Sequence, residues 1–353
     1  MSAETGIEWC DSTLNFWAGC TKVSPACDFC YAERQAGRFG IANWGAGQPR
    51  KQMVEATRAQ SEKWNKLPFY ECVDCGWRGA KLKPTGSVVD GVPAACCAKC
   101  DSVNVVAARR RVFVNSWSDW LDNEVPAEWL ADLLDRIRRC PNIDFLLLTK
   151  RIGNWRGRIE AARNSGLANV ALMNWLHDWQ SGDPPANVWI GATVINQAEA
   201  DRDVPKLLKV AARIRFLSIE PMLGPISLGY YDMTGVPKGR YLDWIIAGGE
   251  SGPHARPSHP EWYRRLRDQC AAAGVPFMFK QHGEWLPTDF CDDDAVELPS
   301  KRTVYVNFDG SYVDGSDGFD FFGGFAETAW VGKKAAGRVL DGVKHSGFPA
   351  MSP

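Results

Sequence analysis

From residue 111 onward, runs that are apolar almost throughout recur and close on polar residues: Val112–Ser116, Asp144–Arg151, Asn187–Thr193, Arg215–Pro221, Asp243–Gly252 and Pro276–His282. Runs of this length without alternation fit strands buried on both faces, as in a parallel sheet. Amphipathic stretches lie between them. Pro126 opens one helix, with Trp129, Leu130, Leu133, Leu134 and Ile137 as its apolar stripe. Pro260 opens another, with Trp262, Tyr263, Leu266 and Cys270 inward and Gly274 closing it. Upstream, Leu14–Gly19 reads as a short first strand delivering Cys20 at its C-terminal end, Tyr31–Phe39 as a helix carrying Arg34 and Arg38 on one face, 40–52 as a loop and 54–66 as a short helix. Strand and helix alternating at about thirty residues is the repeat of a βα barrel or a doubly wound sheet.

The strand ends favour the barrel. Asn115 and Asp119, Thr149 and Lys150, Thr193 and Asn196, Ser218 and Glu220, Gly249 and Glu250, and Lys280 and Gln281 all follow apolar runs. In a βα barrel these ends converge on one face, where active sites lie. For Thr193, Ser218 and Asn196, capping of the next helix is an equal alternative. In Gly248-Gly249-Glu250-Ser251-Gly252, two glycines allow close approach of a ligand, and the carboxylate suits the amino group of an amino-acid-like cofactor.

Chemistry concentrates on cysteine. Cys20, Cys27 and Cys30 sit on one short loop, with six residues in the first gap and two in the second. Three thiolates leave one position open on an iron–sulfur cube, where a small molecule can bind. Phe29 beside the last cysteine would shield such a cluster. A zinc site completed by Cys10 or a histidine, or three buried thiols, are the alternatives. A second group, Cys72-x-x-Cys75 and Cys97-x-x-Cys100, has the two knuckles of a zinc ribbon, separated by 21 residues, with Cys96 as a substitute ligand. Arg78, Lys81, Lys83 and Arg109 to Arg111 lie in or beside it, and such a run is more often a solvated face than a nucleic-acid contact.

Composition narrows the setting. At 353 residues and a net charge of −1, the chain can bury one large core and has no global attraction to polyanions. Its 16 tryptophans suit cores and base-stacking platforms equally, and the core reading is favoured. No apolar run would span a bilayer, residues 1–15 are too polar for a signal peptide, and twelve cysteines without a leader point to a reducing, cytoplasmic compartment. The organisation expected is the first part of the barrel with the cysteine loop in 1–69, a zinc-ribbon-like insertion in 70–106, the remaining βα repeats in 107–298, and an extension in 299–353. Its basic run, Lys333-Lys334 and Arg338, reads as surface.

Taken together, Gly19–Arg34, Leu148–Arg151, Leu217–Pro221, Gly248–Gly252, Val275–Gln281 and Gly332–Arg338 closely resemble a phage- and prophage-associated three-cysteine family of uncharacterised function, itself similar to radical S-adenosylmethionine (SAM) enzymes. The resemblance covers almost the whole chain outside the ribbon-like segment. It implies an α/β fold, a partial TIM-like barrel of the radical SAM type, with Cys20, Cys27 and Cys30 holding a [4Fe–4S] cluster. The open iron would chelate SAM, and reduction would generate a 5′-deoxyadenosyl radical. The first cysteine gap is six residues where that superfamily has three, and Gly248-Gly249-Glu250 falls late in the chain. Asn115, Ser116 and Asp119 hold the early position, so either group is a candidate for SAM. Lys150, Glu220, Lys280 and Gln281 would face substrate or the SAM carboxylate. The expected function is radical chemistry on a nucleobase or nucleic acid, with an electron donor and a neighbouring-gene protein as further partners and no membrane. The alternative is a non-catalytic, metal-stabilised nucleic-acid-binding or partner protein.

Overall fold

The computed structural model describes residues 5–89, 92–229, 242–288, 302–314 and 324–350. Seven strands build its central sheet: β1 (Ser12–Leu14), β2 (Arg110–Val114), β3 (Ile143–Thr149), β4 (Val188–Thr193), β5 (Ile214–Ile219), β6 (Trp244–Gly248) and β7 (Phe277–Gln281). They lie side by side in chain order, and every neighbouring pair is parallel. The sheet is an open half-barrel; among the described residues β7 does not pair with β1, so closure into a complete barrel is not seen.

Alternation along the strands divides the core in two. On the convex face, residues such as Val112, Phe145, Leu147, Ile190, Leu217, Ile245 and Phe279 share one core cluster with Leu130, Leu133, Leu134 and Ile137 of α1 (Ala127–Arg139) and Trp262, Tyr263 and Leu266 of α2 (Pro260–Ala273). Of the concave-face residues, Phe113, Leu146, Trp189, Phe216, Trp244, Ile246 and Met278 form a second cluster, joined by Trp9 and packed against by Phe348. The concave side is therefore a plug of rings and not a channel. Phe216 lies against Gly191, where any Cβ would stand 2.3 Å from the ring.

The chain termini complete this plug. Phe348 packs on Trp244 with ring centroids 4.8 Å apart, and the Arg111 guanidinium lies over the Phe348 ring at 4.2 Å. Residues 345–347 run antiparallel to β7, with Phe279 N–H donating to His345 O and Gly347 N–H to Phe277 O. An edge that would otherwise be free for further pairing is thus covered.

Three expectations change. The first sheet strand is Ser12–Leu14; Trp17–Ala18 instead pairs antiparallel with Lys51–Gln52, and that small ribbon delivers Cys20. The helix expected over 54–66 is two pieces, Glu55–Arg58 and Gln60–Asn65. Half of the basic run by the knuckles is internal, while Lys81 and Lys83 are exposed as a solvated face would be: Arg110 stacks on Trp64 and Phe69, Arg111 on Trp189 and Phe348, and Arg78 pairs with Asp11 at 3.0 Å. The boundary expected at 298/299 lies outside the described residues. Beyond it Thr303–Val306, Tyr312–Asp314 and Ala326–Trp330 form an antiparallel sheet with Trp285–Pro287. No helix among the described residues is long and apolar enough to cross a membrane.

Candidate functional site

On the concave face, β2, β4, β5 and β7 turn from apolar to polar near their C-terminal ends. Trp189 and Gly191 give way to Thr193, Phe216 to Ser218 and then Glu220, Met278 to Lys280, Phe113 to Asn115. Period two carries all of these onto one side. Asn115, Thr193, Ser218, Glu220 and Lys280 line a cavity of about 530 Å³ together with Trp9, Phe113 and Leu148. Cys20, Cys27 and Cys30 line the same cavity, as do Ser116, Asp119, Lys150, Gly249, Glu250 and Gln281. Gly248 does not line it; a Cβ there would crowd the Glu220 carboxylate at 3.1 Å.

The cysteine loop is pinned along its length. Thr21 is held at its hydroxyl by Arg50 (2.7 Å) and at its carbonyl by Arg151 (2.6 Å). The Ser24 hydroxyl donates to Glu199 at 2.7 Å and also accepts from Ala26 N–H, capping the turn Pro25–Cys27. Arg256 donates to Pro25 O at 2.8 Å and to Asp28 at 3.1 Å, and its guanidinium stacks over Phe29 at 5.1 Å. Cys30 opens the helix Tyr31–Arg38, and the Tyr31 hydroxyl donates to Ser116 O at 2.9 Å. The long first gap thus supplies the anchors that tie the loop to the segments after β3, β4 and β6.

Arg151 donates to Cys20 Sγ at 3.4 Å and to Asp119 at 3.0 Å. Burial, with Asp119 adding to it, pushes the Cys20 thiol up to about 12, against the pull of Arg151. A metal ion at this sulfur would therefore have to displace a proton. Asp119 is 6% exposed and accepts from Leu121 N–H, the Thr149 hydroxyl, Lys150 N–H and Arg151. Its carboxylate is occupied by its own protein. So is that of Glu250, which takes two guanidinium nitrogens and the backbone N–H of Arg256.

The glycines of this motif have a packing role. A Cβ on Gly249 would stand 1.9 Å from His282 O. Gly249→Ala should therefore destabilise the fold by about 3 kcal/mol through forced separation of the loops after β6 and β7, measurable by urea unfolding of the metal-free protein; unchanged stability would return the glycine to a ligand-contact role.

Other polar groups in the cavity are not satisfied. Thr193 Oγ1, Gln281 Oε1 and Asn115 Nδ2 are buried without a hydrogen-bond partner among the described residues, whereas Asn115 Oδ1 accepts from Phe16 N–H. Lys280 pairs with Glu220 at 2.9 Å; burial works against the ammonium, but the carboxylate outweighs it and the pKa is raised. Asn196, by contrast, caps the helix Gln197–Leu208, accepting from Glu199 N–H. Ser218 donates to Glu220 at 3.2 Å and caps nothing.

The second cysteine group is compact. Cys72, Cys75, Cys97 and Cys100 bring their sulfurs within 4.8 Å of one another and could hold a metal ion; Cys96 is buried outside the group. Cys20, Cys27 and Cys30 do not meet this way, with one another or with a further Cys, His, Asp or Glu among the described residues. Sequence reasoning missed Arg151 as a partner of Cys20, Arg256 and Glu199 as anchors, and Trp9 with Phe113 as cavity walls. Only Arg151 carried a signal, standing in the Leu148–Arg151 string.

The molecule is thus an α/β protein with a parallel half-barrel, a cysteine-lined cavity at the strand ends and a separate group of four cysteines that could hold a metal ion. A family model described as "Protein of unknown function (DUF5131)" matches residues 4–349, and the chain belongs to that family. No curated protein and no solved structure matches it.

Proposed function

We propose that the protein is a radical SAM-type iron–sulfur enzyme. One observation carries the reading: three thiols of a single anchored loop line the cavity at the strand ends without gathering into a single-ion shell. A [4Fe–4S] cube holds its thiolates on different irons, further apart than one zinc ion does, and an open fourth position would face the cavity. When bound and reduced with SAM, such a cluster supplies a 5′-deoxyadenosyl radical that takes a hydrogen atom from substrate.

The chain's own residues then have distinct tasks. Cys20, Cys27 and Cys30 would hold the cluster, and Arg151, donating to Cys20 Sγ, would draw electron density from it and favour the reduced form. Asn115 Nδ2, Gln281 Oε1 and the Lys150 ammonium would be available to the amino-acid end of SAM. Asp119 and Glu250 would act by holding Arg151 and Arg256, and through them the cysteine loop. Glu220 and Lys280 would face substrate. In the second group the Cys72–Cys100 and Cys75–Cys97 sulfurs stand 3.6 and 3.7 Å apart, close to the roughly 3.8 Å of a tetrahedron with zinc–sulfur bonds near 2.3 Å, so zinc is the metal we assign there. An electron donor in a reducing, cytoplasmic compartment is required, and the resemblance to a phage- and prophage-associated family supports a neighbouring-gene protein as partner.

Anaerobic reconstitution should give about four irons and four sulfides per chain in addition to zinc, and dithionite with SAM should release 5′-deoxyadenosine. Cys27→Ala should abolish both and leave the zinc. A colourless protein that holds zinc alone and leaves SAM intact would overturn the reading in favour of a non-catalytic, metal-stabilised nucleic-acid-binding or partner protein.

A further inference from the structure

We infer that the far end of the cavity, at the ends of β4, β5 and β7, is a subsite for a neutral heterocyclic base. Thr193 and Ser218 are register partners on adjacent strands. The Ser218 hydroxyl donates to Glu220 Oε2, and Glu220 Oε1 takes the Lys280 ammonium, so the polar row continues across the sheet. A carboxylate beside an ammonium offers an acceptor next to a donor, and Lys280 has N–H groups left after this pairing. That is the complement of a base edge on which N–H neighbours a carbonyl or ring nitrogen. Thr193 Oγ1 is 3% exposed by residue and has no hydrogen-bond partner among the described residues. Buried polar atoms of this kind are rare unless something else satisfies them.

The walls suit a flat ring. Trp9 and Phe113 line the same cavity with centroids 4.5 Å apart. Aromatic rings and a donor–acceptor row lining one cavity are what enzymes use to hold a base taken out of its stack. Sugars and aliphatic acids would use the polar row but not the rings. The inference rests on the proposed function for what is done to the base, but binding itself needs no cluster. Two sources share this chemistry, the adenine of SAM and the base of a substrate.

The test uses the full-length protein with zinc bound and no cluster, titrated by calorimetry and ligand-observed NMR with adenosine, guanosine, cytidine and uridine, and with ribose as control. At least one nucleoside should bind and ribose should not. Thr193→Val should weaken that binding about tenfold while leaving thermal stability unchanged or higher, because the hydroxyl makes no hydrogen bond among the described residues. Glu220→Gln should weaken it further, with circular dichroism confirming the fold. Competition with S-adenosylhomocysteine separates the sources: displacement assigns the subsite to the cofactor's adenine, and simultaneous binding assigns it to substrate. No binding of any nucleoside, or binding indifferent to Thr193→Val, overturns the inference. Nucleoside binding by a protein that never cleaves SAM would sink the proposed function and leave the subsite standing; SAM cleavage without nucleoside binding would do the reverse.

Discussion

Cys97→Ser should strip the metal from the four-sulfur group and unfold the segment around it, while the parallel half-barrel stays folded. The segment has little else to hold it. Its described strands run from two to seven residues, and Val73, Val103 and Val106 are exposed at 59%, 72% and 47%. A structural zinc ion contributes about 10–16 kcal/mol of apparent folding free energy in small metal-dependent units, more than such a segment could replace by burial. The half-barrel is joined to it mainly through Arg78, which pairs with Asp11 and donates to Arg109 O at 2.6 Å, and through Ala108 N–H donating to Phe69 O. Metal analysis of the variant should fall to background, and amide exchange across 70–107 should approach that of an unfolded chain. Exchange in β3 to β6 should remain slow. Retention of the metal, or loss of protection throughout the molecule, would contradict this separation.

The strands that could be read in advance are those whose burial comes from layers on both sides. β2 to β7 fall within a few residues of the apolar runs, because a strand covered by helices outside and rings inside needs no polar alternation. β1 was misread for the opposite reason. Ser12-Thr13-Leu14 offers one apolar side chain, and what holds it in the sheet is pairing with Val112–Val114 and the Arg110 guanidinium donating to Ser12. The cavity followed from the strand ends, and the gathering of the four knuckle cysteines from sulfur spacing, because both are local in sequence. The anchors of the cysteine loop are not. Ser24 meets Glu199 across 175 residues and Pro25 meets Arg256 across 231, and Arg256 stands in a stretch without periodicity or motif. Glu250 shows how far composition can mislead: a carboxylate after two glycines looks like a ligand for an ammonium, and its partner is a guanidinium of the same chain.

Asp119→Asn should be among the most damaging single changes in the site, lowering stability by about 3–5 kcal/mol. Four donors converge on this carboxylate from three directions: the loop after β2, the end of β3 and the Arg151 guanidinium. An amide can accept at only one of its two positions, so it turns an NH₂ group toward at least one N–H donor and leaves Arg151, with a side chain 9% exposed, without its charge partner. Removing one member of a buried ion pair is harmful because the other charge remains. Arg151→Met takes that charge away too, and the double variant should be more stable than the sum of the single effects by about 1–3 kcal/mol. Urea unfolding of the four proteins in this cycle measures the coupling directly. Additive effects would mean that Asp119 acts through its backbone donors alone. Coupling would mean that the end of β3 and the cysteine loop are fastened through one ion pair, since Arg151 also reaches Cys20 Sγ and Thr21 O. In that case Asp119→Asn should also raise the rate at which an alkylating reagent modifies Cys20 in the metal-free protein, because the guanidinium that holds the loop start is released.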